Sequence, residues 1–569
     1  MKLLINHIGY ERTGEKKAIM EAPPDLPLDY FSVIERGSNN KVYEGRIAPA
    51  LAVPGWKNLY FCLMDFTALN KNGIFFIQIS SDTLNIISQD FMIKEHLYLT
   101  ETLPDVLEYF TLVRCKGIFN EADYSIPFFG KREGRVDVHG GWYDASGDMS
   151  KYLSHLSYTN YFNPQQTPLV VWNLLFSYSL IIRDKNIDGN NFKQKILDEA
   201  VYGADFLMRM QDKDGYFYMT VFDGWSRDIK KREICSYATS KGIKSEAYQA
   251  GYRQGGGMAI AALALMSTFN KTADYDTQAY RETAVKGFYH LEENNLKYLN
   301  DGRENIIDDY CALLAATELF KACKDEYFFK AARIRVKKLL DRISSDENYS
   351  GFWRADEYGA RPYFHAVEAG LPLISLIRFF EIEKNVDMRD LILLGIRKSL
   401  EFELRITNET ANPFGYARQY IKPLNKAKRS AFFFPHENES GYWWQGENAR
   451  LASLAAACGL AGKYFKEDYN FYQKLKKYTQ DQIDWILGLN PFDMCMLQGK
   501  GRNNPEYMKE YFLNVRGGIC NGITSGFYDE DGIEFFPEEF TLNISENWRW
   551  SEQWLPHAAW YFLAVSANM

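Results

Sequence analysis

Two spacings of apolar residues divide the chain. Up to about residue 95, short apolar runs alternate with turn residues: Lys17–Met20 (KAIM), Tyr30–Ile34 (YFSVI), Lys41–Glu44 (KVYE), Leu59–Met64 (LYFCLM), Ile74–Ile79 (IFFIQI) and Phe91–Ile93 (FMI). Gly37, Pro54-Gly55 and Asn72-Gly73 lie between them, and Asn72-Gly73 fits a tight turn. Runs at this spacing predict a small antiparallel β-sandwich over residues 1–95. Met1–Tyr10 (MKLLINHIGY) carries a short apolar run broken by Asn6 and His7, with no small-residue cleavage site after it. It reads as a first strand and not as a signal peptide, which gives an expectation of a cytoplasmic protein.

From about residue 102 the period becomes helical. Helices are predicted to begin near Pro104, Thr167, Phe192, Gly255, Ala273, Asn305, Glu326, His365, Met388, Tyr442, Lys466 and Glu552. Pro168–Ile182 and Gly257–Met266 are apolar nearly all round, and such helices pack on more than one side. About twelve helices, some of them apolar on every face, predict a double ring, an α/α barrel, over residues 96–569; an irregular bundle is the alternative. Long turn-rich stretches over 116–166, 213–254, 346–364, 407–441 and 488–551 interrupt the helices. Loops of this length inside a compact domain are usually functional, so the helices read as scaffold and the loops as site.

Composition narrows the function classes. The chain has 569 residues, enough for a large core, and 16% of them are aromatic, which excludes a disordered protein. The net charge is 66 − 74 = −8, with no basic block, which argues against nucleic acid and anionic membranes as partners. No run of about 18 apolar residues predicts a membrane span. The eight cysteines form no C-x-x-C pair, and neither a metal site nor a cofactor motif (G-x-G-x-x-G, Walker A, H-E-x-x-H) occurs.

Three segments carry candidate chemistry. Gly140–Tyr152 (GGWYDASGDMSKY) places Asp144 and Asp148 four apart in a Gly-rich loop beside Trp142 and Tyr143. Two converging carboxylates can hold one water and take its proton. They can equally bind a structural calcium, or act only as Asx-turn and helix caps. Ser545–Ala564 places Glu552 among Trp548, Trp550 and Trp554 at the entrance to a final apolar helix, with Ser551 suited to the N-cap. An acid among aromatic rings loses hydration and keeps its proton; the plain alternative is a first-turn Glu favoured by the helix dipole. Pro435–Arg450 joins Trp443 and Trp444 to Glu437, Glu439, Gln445 and Glu447, flat apolar faces beside acceptors, as a sugar requires. One of the two tryptophans is expected in the core.

Taken together these segments resemble glycoside hydrolase family 9. Asn6–Tyr10 resembles the start of the immunoglobulin-like domain that many members carry. Gly140–Asp148 is similar to the family's G-G-W-x-D-A-G-D loop with one residue added. Asp484–Pro491 (DWILGLNP) resembles its D-Y-I-L-G-x-N-P stretch, and Ser551–Ala559 (SEQWLPHAA) sits where the family has its catalytic acid. The resemblance implies an inverting mechanism on an (α/α)6 barrel, with Glu552 as acid and Asp148 as base assisted by Asp144. The implied acid–base gap is roughly 6.5–9.5 Å. The His-His-Arg cluster of endoglucanases is replaced by Gly499–Pro505 (GKGRNNP), and no cellulose-binding module is expected.

The D-A-S-G-D loop resembles the exo-acting branch, implying an exo-β-D-glucosaminidase on short chitosan oligosaccharides. A β-glucosidase or cellodextrinase on cello-oligosaccharides is the first alternative. A sugar-binding protein on a degenerate glycosidase fold is the second, and an α/α-barrel phosphorylase the third. Trp443, Trp444, Glu439, Tyr363, His365 and Tyr143 are the expected sugar contacts, Glu439 or Glu437 being the expected partner for a substrate amine. No cofactor or metal is expected beyond a compatible structural calcium. The expected partner is a small oligosaccharide, and the expected state a monomer or homodimer.

Overall fold

The computed structural model describes residues 1–24, 28–56, 59–80, 84–184, 190–508 and 513–569. Strands β1 (Lys2–Leu4), β2 (Gly9–Glu11), β3 (Lys17–Glu21), β4 (Tyr30–Glu35), β5 (Lys41–Arg46), β6 (Leu51–Ala52), β7 (Tyr60–Asp65), β8 (Gly73–Ser80), β9 (Asn85–Ile87) and β10 (Phe91–Lys94) form two sheets. Their orders are β1-β3-β7-β6 and β2-β10-β8-β4-β5, with β9 on β8. All pairings are antiparallel except β10 with β2. This is an immunoglobulin-like β-sandwich.

The continuous apolar run at β3 has a structural cause. Ala18 and Met20 face the sandwich core, while Ile19 joins Leu4 and Phe61 in the core of the helical domain. A strand buried on both faces needs apolar residues at successive positions. Asn72-Gly73 makes no hairpin turn: β7 and β8 belong to different sheets, and Gly73 opens β8 with φ 158°.

Twelve helices of ten residues or more lie among the described residues: α1 (Leu103–Leu112), α2 (Thr167–Ile181), α3 (Asn190–Arg209), α4 (Gly257–Met266), α5 (Thr277–Tyr298), α6 (Ile306–Cys323), α7 (Glu326–Asp341), α8 (Leu371–Phe380), α9 (Val386–Asn408), α10 (Asn448–Gly462), α11 (Tyr469–Ile486) and α12 (Leu555–Ala567). Each even-numbered helix packs on the next even-numbered one, and α12 returns to α2, closing an inner ring. The odd-numbered helices form the outer ring of an (α/α)6 barrel. All ten residues of α4 are buried, as its all-round apolarity requires. Outer helices show one buried face and capped starts: the side chains of Asp276, Asp325, Asn385 and Asp468 accept backbone N–H bonds at α5, α7, α9 and α11. The inner helices α2, α8 and α12 carry instead Pro168, Pro372 and Pro556 as their second residues, in the first turn where no N–H is needed.

Five predicted helix starts lie three or more residues too early: Ala273 and Lys466 precede α5 and α11 by turns that end on the caps Asp276 and Asp468, and the other three fall in the loops before inner helices. The ring nitrogen of His365 accepts from the backbone of Val367 and Glu368 in a turn, and α8 begins at Leu371. The segment from Tyr442 does not become helical until Asn448. Ser551 is no N-cap: it ends a short helix, Trp548–Ser551, Glu552 is extended (φ −64°, ψ 132°), and Trp554 precedes α12. The helix-dipole reading of Glu552 therefore fails. No helix among the described residues is long and apolar enough to cross a membrane.

Candidate active site

Each long stretch that carries the site joins an outer helix to the inner helix after it, so these stretches gather at the end of the barrel where inner helices begin. There they wall a cleft of about 460 Å³. Asp144, Asp148 and His155 come from the stretch before α2, and Trp225 and Arg227 from the one before α4. Tyr442, Trp443 and Gln445 precede α10, and Tyr507, Trp548, Glu552 and Trp554 precede α12.

The segments bearing the three carboxylates are joined by main-chain pairing. Ala145 and Trp554 form an antiparallel bridge, Ser146 N donates to Gln553 O (2.9 Å), and Gln553 N donates to Ser146 Oγ (2.7 Å). Leu555 N donates to Asp144 O (3.1 Å), while Asn521 N holds Glu552 O (2.8 Å). Gly147 sits at φ 91°, the left-handed turn that brings Asp148 N back to Ala145 O.

Asp144 is 1% exposed and fully engaged. Its Oδ1 accepts from Gln166 Nε2, its Oδ2 from Trp554 Nε1 (2.9 Å), and His155 Nδ1 stands 3.4 Å from Oδ2. Asp148 is 8% exposed and has one donor per oxygen: Ser150 N to Oδ1 (2.8 Å) and the Tyr152 hydroxyl to Oδ2 (2.9 Å). Each Asp148 oxygen keeps a lone pair for water. Burial, and then the charge of Asp144, push Asp148 up to about 6. Burial also raises Asp144, against the donors His155, Trp554 and Gln166. Glu552 lies well above the usual carboxylate range, through burial first and then Asp148 and Asp144. Three carboxylates in one cleft cannot all ionise, and Glu552 is the one best placed to keep a proton at neutral pH.

The other expected contacts divide. Trp443 lines the cleft, its Nε1 donating to Gln445 Oε1 (3.1 Å). Trp444 does not: both indoles are buried, but Trp444 is stacked on His436 at 3.8 Å and capped by Arg549, away from the cleft lining. Glu439 lies outside the cleft lining, paired with Arg361 Nε at 2.6 Å, and Glu437 is exposed outside it. Tyr363 bonds Tyr310 and the carbonyl of Glu368, and His365 is fully buried, its imidazole lowered to about 3 by that burial. Tyr143 turns its hydroxyl away to the backbone of Lys116. None of these lines the cleft.

His155, Tyr152, Trp225 and Arg227 were not among the expected residues. Trp225 had a signal, an isolated Trp in Asp-Gly-Trp-Ser inside a long loop; His155 and Tyr152 had none beyond nearness to Asp148. Among the described residues, no group of three or more His, Cys, Asp or Glu is arranged to hold a metal ion.

Comparison with known proteins places the chain in a family. The chain matches the model of glycosyl hydrolase family 9 over residues 101–516 and that of the cellulase N-terminal ig-like domain over residues 1–83. It is similar to a xyloglucan-specific endo-β-1,4-glucanase of Bacteroides ovatus, 22% identical over an alignment of 540 residues that covers 88% of this chain and 81% of that protein. The fold is shared with the family 9 endoglucanase J30 (TM-score 0.68, 16% identity, 98% of this chain and 99% of that one). It is also shared with an endoglucanase of Clostridium thermocellum in complex with cellotriose (TM-score 0.51, 16% identity, 82% and 69%). The chain belongs to glycosyl hydrolase family 9: it is a glycoside hydrolase with an N-terminal immunoglobulin-like domain.

Proposed function

We propose that the protein is an inverting β-glycosidase of short β-1,4-linked gluco-oligosaccharides. The observation that carries this is the cleft in which Glu552 meets Asp144 and Asp148 between Trp225, Trp443, Trp548 and Trp554. A volume of about 460 Å³ suits a short oligosaccharide, and indole faces suit the C–H faces of sugar rings. Glu552 gives its proton to the glycosidic oxygen as the bond from the anomeric carbon breaks. A water on the opposite face forms the new bond to that carbon and gives its proton to Asp148, so configuration inverts. Asp144, already held by its three neighbours, supports this as a fixed neighbouring charge.

Glucose-based substrates are favoured over glucosamine-based ones for two reasons. The relatives named above are glucanases. The carboxylate expected to meet an amine, Glu439, is neutralised by Arg361. The test is release of glucose from cellobiose and cellotriose, beside release of glucosamine from fully deacetylated chitobiose, by the wild type and Glu552→Gln, with the product anomer read by proton NMR. Glucose released as the α-anomer and lost in Glu552→Gln is expected. Faster glucosamine release would return the assignment to an exo-β-D-glucosaminidase, and release that survives Glu552→Gln would remove Glu552 as the acid.

A further inference from the structure

Trp225 stands at the tip of the hairpin formed by Thr220–Phe222 and Glu233–Tyr237, and the first of these strands pairs with Lys151–Tyr152. The tip folds back over that strand. Trp225 has φ 58° and Arg227 φ 57°, both in the left-handed region that bulky side chains avoid. Backbone of this kind persists only where surroundings hold it. Here Arg227 Nε donates to Gly147 O (3.1 Å), between the two aspartates, and Gly242 is a glycine because a Cβ there would strike the Trp225 ring at 2.6 Å. The indole is 38% exposed and lines the cleft, while its Nε1 donates to the Tyr152 hydroxyl at 3.2 Å.

That bond sets a direction. A phenol has one proton; since Tyr152 accepts from Trp225, its own proton goes to Asp148 Oδ2 at 2.9 Å. The His155 ring stacks on Tyr152 at 4.4 Å and lies 6.4 Å from Trp225, while its Nδ1 faces Asp144. One aromatic wall thus sends one polar contact to each aspartate.

We propose that Trp225 and Tyr152 are positioning residues for the base: a one-way hydrogen-bond chain, Trp225 to Tyr152 to Asp148, fixes the direction of the Asp148 lone pairs, so that the ring which meets the sugar also aims the group that activates water. The proposal rests on the functional reading above, with Asp148 as base. A donor to a carboxylate favours its charged form, so the chain also keeps Asp148 more acidic than it would otherwise be among its neighbours. Those facing it are Asp144, Glu552, Asp223, His155, Arg227 and Tyr507.

The experiment compares kcat, KM and pH profile on cellotriose for the full chain, Trp225→Phe, Trp225→Ala, Tyr152→Phe and the double variant Trp225→Phe/Tyr152→Phe. Trp225→Phe keeps a ring and loses only the donor. It should leave KM within about twofold, lower kcat about tenfold and move the acidic limb up by about half a pH unit. Trp225→Ala should add a rise in KM. The double variant should be no worse in kcat than Tyr152→Phe, since links of one chain do not add. Trp225→Phe with unchanged kcat and limb, or a double variant showing the product of both losses, overturns the proposal.

A second readout needs no sugar. With ¹⁵N-labelled tryptophan, the indole signal missing from Trp225→Phe is that of Trp225. It should move in Tyr152→Phe and also in Asp148→Asn, and a signal stationary in whichever of these folds overturns the chain. A moving signal in an enzyme that releases no sugar supports the chain and overturns the functional reading alone.

Discussion

The indole N–H of Trp554 donates to Asp144 Oδ2 at 2.9 Å, across 410 residues of sequence. Two positions before that indole lies Glu552, and one position after Asp144 begins the pairing of Ala145 with Trp554. Glu552 and the aspartate loop are therefore one local structure, although the barrel separates them in sequence. Trp554→Phe keeps the ring and removes the bond. It should cost about 1–2 kcal/mol of stability, since a buried carboxylate loses a donor. It should also lower kcat about tenfold or more as Asp144 loosens. Thermal unfolding and turnover of cellotriose check both; an unchanged kcat would mean that Gln166 and His155 suffice to hold Asp144.

Glu552→Gln separates catalysis from stability. Turnover should fall at least about a thousandfold, because no group remains to protonate the leaving oxygen. Stability should rise by about 1 kcal/mol at pH 7. The sign follows from the raised carboxyl of Glu552. In the unfolded chain this group ionises freely above its ordinary range, while the folded state holds the proton. Wild-type stability therefore falls with rising pH through that window, and below it both states are neutral. Melting temperatures of the two proteins should converge near pH 4 and diverge towards pH 7. A constant difference across pH would show that Glu552 titrates normally.

The pH–rate profile should be bell-shaped. Its acidic limb should lie near pH 6, the value to which burial and Asp144 push Asp148, with activity falling as pH drops through it. Its basic limb should report the raised carboxyl of Glu552, with activity falling as that proton is lost. Each limb belongs to the carboxylate cluster and not to one residue alone. The measurement is kcat/KM on cellotriose between pH 4 and 9. An acidic limb at the ordinary carboxylate range, near about 4, would mean that the base is not the buried Asp148.

Sequence patterning located the scaffold because burial writes itself into period. The all-round apolarity of Gly257–Met266 announced a helix packed on more than one side, and the KAIM run announced a strand, though not that this strand lies between two cores. Asp144, Asp148 and Glu552 were legible through the Gly-rich and Trp-rich stretches around them. What was not legible depends on where a chain turns after it leaves a helix. Adjacent Trp443 and Trp444 look equivalent in sequence, yet Trp443 reaches the cleft and Trp444 packs under Arg549. Tyr363 and His365 look like sugar contacts until the turn before Leu371 folds them inward. Tyr152 meets Trp225 only because a hairpin 73 residues on bends back over it.

Lys17 fastens the β-sandwich to the barrel. Its ammonium is 2.8 Å from Asp481 and donates to the carbonyls of Pro413 (3.1 Å) and Phe414 (2.7 Å), with the residue 6% exposed. Lys17→Met removes the charge, retains much of the length, and leaves two carbonyls and part of Asp481 without their donor. A loss of about 3 kcal/mol is expected, the cost of breaking a buried pair from one side. It should appear as a lower melting temperature with kcat little changed in the protein that remains folded. A loss under about 1 kcal/mol would mean that Lys477, 2.6 Å from Asp481, carries that carboxylate alone.

Glu439→Gln decides whether this carboxylate reads the sugar or serves the fold. Arg361 is 5% exposed, lies over the rings of Tyr161, Phe162 and Phe364, and has Glu439 as its 2.6 Å ion-pair partner. Neutralising Glu439 leaves a buried guanidinium without its counter-charge, which should cost about 3 kcal/mol. If Glu439 met a substrate amine, the same change would raise KM for deacetylated chitobiose and leave KM for cellobiose alone. A carboxylate already paired has no charge to spare for an amine, so the ratio of the two substrates' kcat/KM values should stay within about twofold of wild type while the melting temperature falls. A ratio that shifts tenfold towards cellobiose would place the amine beside Glu439 and reverse the preference for glucose argued from its pairing.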